Sequence, residues 1–127
     1  DEIRKELNGK RYCQKNRGQV LQLAKTRLKK ALANKRNVVW DATNIRKDFR
    51  NTICELGENY GALITMVVFQ LKESSLRVNN RNRQYAVGDE VISSQLTKLE
   101  WPWPTESHRF LVIGENGSEL YRKGTFS

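Results

Sequence analysis

The stretch Val38-Val39-Trp40-Asp41-Ala42-Thr43-Asn44-Ile45-Arg46-Lys47-Asp48-Phe49-Arg50 constrains the fold of this chain more than any other part of it. Its short apolar run, Val38, Val39 and Trp40, passes at once into Asp41, Thr43 and Asn44 and then into a helix start. That order predicts a strand over residues 37–40 delivering oxygen- and amide-bearing side chains at its carboxyl end. Ligands of open α/β sheets bind outside the carboxyl ends of the strands, so this turn is the first place to look for function. Asp, Thr and Asn are also good helix N-caps, and an ordinary cap is the competing explanation.

The flanking segments supply the layers. Residues 46–59 carry Phe49, Ile53, Cys54 and Leu56 at helical spacing, and Tyr60-Gly61 ends the helix. Residues 62–71 are almost continuously apolar, as in a parallel strand covered on both faces. Strand, helix and strand make a βαβ unit, so the expected class is α/β with residues 37–40 and 62–71 running parallel. Upstream, residues 19–35 form a long amphipathic helix; its basic face (Lys25, Arg27, Lys29, Lys30, Lys35) suits either phosphates or simple solvation. Residues 1–7 read as an earlier helix start, stopped by Asn8-Gly9.

Downstream, residues 72–83 begin as a helix and become strongly polar, with Arg77, Arg81 and Arg83 close together. Gly88-Asp89 opens a further helix with Val91, Ile92, Leu96 and Leu99 inward, and Trp101-Pro102-Trp103-Pro104 stops it. The two indoles are either packing pieces or a base-stacking platform. Residues 110–113 form a short strand, and Asn116-Gly117 before residues 118–121 is a strong hairpin signal.

At 127 residues the chain is one domain at most. Lys and Arg total 23 against 14 Asp and Glu, a net charge of +9. With a pI near 9.8, this favours a polyanionic partner, nucleic acid or nucleotide phosphates, over a merely soluble basic surface. Cys13 and Cys54 lack metal-ligand spacing and there is a single His, which points away from zinc and disulfide frameworks and towards a reducing, cytoplasmic setting. No apolar run approaches the roughly 20 residues that span a bilayer, and no membrane partner is expected.

Three polar clusters stand in order along the chain: Asp1-Glu2-Ile3-Arg4, Asp41-Ala42-Thr43-Asn44, and Asn79-Asn80-Arg81-Asn82-Arg83. Their order and spacing resemble the polynucleotide 5′-kinase branch of the P-loop phosphotransferases, in which an Asp-x-x-Arg motif, a D-A-T-N-like turn and an arginine-bearing lid helix follow successive strands. The resemblance covers roughly residues 1–113. It implies a P-loop kinase-like parallel sheet with flanking helices and a C-terminal hairpin, a single partial kinase-like domain over residues 1–127, and a lid near residues 72–87.

The resemblance also implies roles. Asp1 would accept the proton of a 5′-hydroxyl, since a hydroxyl is a poor nucleophile at neutral pH. Arg4 would hold an acceptor phosphate bidentately. Asp41, Thr43 and Asn44 would orient Arg4 or the acceptor strand, and Arg81 and Arg83 would close over the phosphates of ATP. The implied cofactors are ATP and Mg²⁺, and the implied partner is the 5′-end of RNA or DNA, with other repair domains in the same polypeptide. Where many members carry the first lid arginine, this chain has Asn79. No G-x-x-x-x-G-K-[ST] loop occurs in these residues, so the chain as written is expected to be inactive, the carboxyl-terminal part of a kinase domain whose P-loop segment was cut away, was left unsequenced or lies upstream in the gene product. A small-molecule kinase of the same superfamily and a non-catalytic nucleic-acid-binding module are the alternatives.

Overall fold

The computed structural model describes residue 3, residues 17–84 and residues 86–125. The chain forms two compact units, Asp1–Asp41 and Ala42–Ser127.

In the first unit, α1 (Arg17–Ala33) realises the amphipathic pattern, with Leu28 buried. It ends in a tight reversal. Lys35 takes a left-handed φ of 55°, and the Arg36 amide donates to the Ala31 carbonyl at 3.0 Å, which satisfies carbonyls the helix would otherwise leave open. Residues 37–40 are not a strand, contrary to expectation. Val39 is 90 % exposed, and an apolar run without ladder partners stays extended without becoming sheet. The expected parallel pairing of residues 37–40 with residues 62–71 is therefore not formed.

The second unit contains α2 (Lys47–Asn59), β1 (Thr65–Phe69), α3 (Glu73–Arg81), α4 (Asp89–Lys98), β2 (Arg109–Ile113) and β3 (Glu119–Lys123). The strand order is β1-β2-β3. β1 and β2 run parallel, Thr65 facing Arg109 and Phe69 facing Ile113, so the crossover between them carries α3 and α4. The class is α/β, but the sheet is mixed, because β3 returns antiparallel to β2.

The return follows from Asn116-Gly117, as expected. Both residues have positive φ, 59° and 75°, and the Ser118 amide donates to the Glu115 carbonyl at 3.3 Å. Two positive φ values at the centre of a turn match the right-handed twist of a hairpin. The pairing slips by one residue between Val112 and Ile113, leaving Leu120 as the extra residue of β3. A Cβ on Gly114 would lie 2.8 Å from the Leu120 side chain, which is why a glycine fits there.

Phe110, 3 % exposed, is the innermost apolar residue of the sheet and meets Tyr121 edge-on with ring centroids 6.3 Å apart. α2 lies close to the start of β1, where a Cβ on Gly57 would stand 3.2 Å from Ile64 Cδ1. Coverage is one-sided. Met66 and Val68 are half-buried whereas Val67 and Phe69 are exposed, so β1 is not covered on both faces as its composition suggested. In α4, Val91 is exposed and none of the residues expected inside is fully buried. Among the described residues no helix is long and apolar enough to cross a membrane.

Candidate functional site

The residues after Asp41 are shaped by a guanidinium that the sequence did not advertise. Asn44 sits at a left-handed φ of 52°, and its carbonyl accepts a hydrogen bond from Arg50 Nη1 at 2.9 Å. Arg50, one turn into α2, is 4 % exposed, and its Nε donates to Glu106 Oε1 at 2.9 Å; the Glu106 side chain is 3 % exposed. Glu106 Oε2 accepts both Arg50 Nη2 at 3.3 Å and the Trp103 amide at 2.6 Å. Burial by itself would raise the Glu106 carboxyl, but the bonds from Arg50 and from the Trp103 amide outweigh it and hold the group below the ordinary carboxylate range.

α2 starts at Lys47 behind Arg46, which offers no side-chain cap, so Thr43 and Asn44 do not serve as N-cap of this helix. The ordinary-cap explanation of the turn fails in this structure. Thr43 is exposed and Asn44 partly so. Asp41, exposed, closes the other unit. Asp1 and Arg4 lie outside the described residues.

The arginine segment is better defined. α3 is capped from a distance by Glu115 of the β2–β3 turn, whose Oε1 accepts the Lys72 amide at 2.9 Å and whose Oε2 accepts Ser75 Oγ at 3.2 Å. Those two bonds, first the backbone one, lower the Glu115 carboxyl. At the other end Asn80, 4 % exposed, grips the returning chain: its Nδ2 donates to the Val87 carbonyl at 2.7 Å and its Oδ1 accepts the Val87 amide at 3.1 Å. Asn80 thus ties the end of α3 to Val87.

The three arginines divide by environment. Arg77 is tied to Glu73 at 2.8 Å, to Asp89 at 3.6 Å and to Ser93 Oγ at 2.8 Å. Arg81 and Arg83 are exposed and make no ion pair among the described residues. No hydrogen bond or ion pair joins them to Thr43 or Asn44. They stand at and just beyond the carboxyl end of α3; upstream of them Ser74, Ser75, Val78 and Asn79 of the same helix form one wall of a cavity of about 480 Å³. Phe69 at the end of β1 with Leu71 beyond it, and Ile113 at the end of β2 with Gly114 to Gly117 beyond it, form the other wall. The cavity therefore opens at the carboxyl ends of the two parallel strands, where α/β sheets take their ligands.

A family model described as an AAA domain matches residues 1–102. The chain belongs to the AAA domain family. That places it in the P-loop NTPase-like kinase superfamily and makes it a nucleotide-binding, kinase-like domain. No curated protein matches the chain.

For an AAA domain chain, the residues missed by reading the sequence are those that build the scaffold of the site: Arg50, Glu106, Asn80 and Glu115. One signal was available. Arg50 shares the inward face of α2 with Ile53, Cys54 and Gly57 at three, four and seven residues, so a cation there implies a buried acid elsewhere.

Proposed function

We propose that the intact protein transfers the γ-phosphoryl group of ATP to the 5′-hydroxyl of a polynucleotide. The observation that carries this reading is a cavity at the carboxyl ends of β1 and β2 walled on one side by α3, the helix that ends at Arg81 with Arg83 two residues beyond; neither arginine lines the cavity. Family membership supports nucleotide binding, and the net charge of +9 supports a polyanionic acceptor.

A cavity of this size, with Phe69, Leu71 and Val78 beside Ser74 and Asn79, fits a nucleotide base, since ligand sites are mostly apolar with a few placed polar groups. The lid cations fit phosphate oxygens, and Arg83, with Arg81 beside it, would neutralise charge on the transferring group. On the acceptor side Asp1 would take the hydroxyl proton and Arg4 would hold the neighbouring phosphate, with Asp41, Thr43 and Asn44 orienting them. Among the described residues no group of three or more His, Cys, Asp or Glu side chains could hold a metal ion.

The test is single-substitution kinetics on the full-length protein. Asp1→Ala should abolish transfer while leaving ATP binding nearly unchanged, because a base on the acceptor side does not touch the donor. Arg4→Ala should raise the KM for the 5′-end. Substantial residual turnover in Asp1→Ala, or an effect of Arg4→Ala on ATP alone, contradicts the assignment.

A further inference from the structure

The basic charge of the chain is not spread evenly. The unit Asp1–Asp41 carries twelve Lys and Arg against four Asp and Glu, whereas residues 42–127 carry eleven against ten. Nearly all of the net charge of +9 therefore belongs to the first unit, while the cavity belongs to the almost neutral second. Residues 17–40, which hold α1 and the reversal after it, contain seven cations and no acid. Lys29, Lys30, Lys35 and Arg36 are exposed and Lys25 is half-buried, and none of these five makes an ion pair among the described residues. Fold stability does not account for the cluster. Lys30 alone sits in the last turn of α1, where a cation suits the helix dipole. Lys25 and Lys29, one turn apart, repel each other, and Lys35 occupies a left-handed φ of 55° that glycine or asparagine adopts at lower cost.

A surface that serves solubility mixes both signs of charge; one sign sustained along a helix creates a field that gathers a partner of repeated opposite charge. The composition of the segment narrows that partner. Lysine is a point charge that meets phosphate oxygens without a fixed geometry, and residues 17–39 include no aromatic side chain on which a base could stack. No large apolar side chain of α1 is exposed, so the helix presents no apolar face to insert into a bilayer. We infer that α1, with Lys35 and Arg36 of the reversal, is a binding surface for the phosphate backbone of a polynucleotide, indifferent to its bases. The identity of the partner rests on the reading of a polynucleotide acceptor. The surface itself takes no part in the transfer step.

The test measures binding of the full-length protein, without ATP, to a fluorescent oligothymidylate over a range of salt concentrations. The variant combines Lys29→Gln, Lys30→Gln and Arg36→Gln; glutamine matches lysine and arginine in helix propensity, and circular dichroism checks the fold. It should bind at least about tenfold more weakly at low salt, and its slope of log affinity against log salt should be shallower by about 2, since each phosphate neutralised on a single strand contributes about 0.7. Lys29→Gln and Arg36→Gln alone should each lower the slope by about 0.7, so the result does not hang on the triple variant folding. Lys29→Arg with Lys30→Arg should bind as the parent does. The triple replacement should weaken an abasic strand by the same factor as oligothymidylate. Unchanged affinity and slope in the folded variants overturn the proposal, as does a loss seen with bases and not without them. Binding of the parent to phosphatidylserine vesicles that the variant lacks, with oligothymidylate binding unaltered, overturns it too and assigns the surface to a membrane. Binding that depends on these cations in a protein that phosphorylates no polynucleotide would retain the surface and reject the kinase reading, whereas transfer to 5′-hydroxyl strands with binding indifferent to the substitutions would do the reverse.

Discussion

Arg50 and Glu106, 56 residues apart, meet through Nε and Oε1 at 2.9 Å with both side chains almost fully out of water. Removing one partner leaves the other as an uncompensated buried charge, which typically costs about 3–5 kcal/mol. Arg50→Ala and Glu106→Ala should each lose about that much in urea unfolding. The double replacement Arg50→Ala with Glu106→Ala should lose less than the sum of the two, by a coupling of roughly 0.5–3 kcal/mol. Additive losses would show that the pair does not act as a unit.

The same carboxylate sets the acid limb of stability. Although burial opposes it, bonding from Arg50 and the Trp103 amide places the folded Glu106 below its ordinary value of 4.5. The folded state therefore binds the proton less well than the unfolded chain. The stabilisation is complete above that ordinary value and is lost as the pH falls through it towards the lowered one. Glu106→Gln should flatten this part of the stability-against-pH curve and leave the slope near neutrality unchanged. An unaltered acid limb would contradict the account of Glu106.

Asn80 ties the end of α3, next to Arg81, to Val87 by bonding both the amide and the carbonyl of that residue. Asn80→Ala should cost about 1–3 kcal/mol, the usual penalty for leaving partly buried backbone groups unpaired. Hydrogen exchange should localise the damage, with the Val87 amide exchanging faster while β2 stays protected. Unchanged protection at Val87 would remove Asn80 from this role.

Helix positions were the most legible part of the fold. Apolar periodicity over residues 19–35 and 46–59 became Arg17–Ala33 and Lys47–Asn59, and Asn116-Gly117 became the turn between β2 and β3. These features are local, set by spacing and by the φ values that Asn and Gly tolerate. What failed depends on distant partners. Val38 and Val39 gave the apolar signal of a strand, but a strand exists only where another chain segment supplies its ladder. The run over residues 62–71 gave no warning that Val67 and Phe69 would be exposed. Around the candidate site, Arg81 and Arg83 were legible as a cluster. The scaffold was not, since Arg50 meets Glu106, and the Lys72 amide meets Glu115, only once distant parts of the chain have folded together.

The lid arginines should separate into structural and functional classes. Arg77 joins α3 to α4 through Asp89 and Ser93, so Arg77→Ala should lower the unfolding midpoint. Arg83→Ala should leave stability within about 0.5 kcal/mol, as for an ordinary surface change, yet lower the transfer rate by about 10³-fold or more. A destabilised Arg83→Ala with normal transfer would reverse these assignments.

The most direct test of the whole account is to supply the full-length protein with γ-labelled ATP and compare a 5′-hydroxyl oligonucleotide, its 5′-phosphorylated counterpart, and free nucleosides as acceptors. The account predicts label at the 5′-end of the hydroxyl strand alone, removed by a 5′-phosphatase. Label on nucleosides or other small molecules with none on the strand would contradict it.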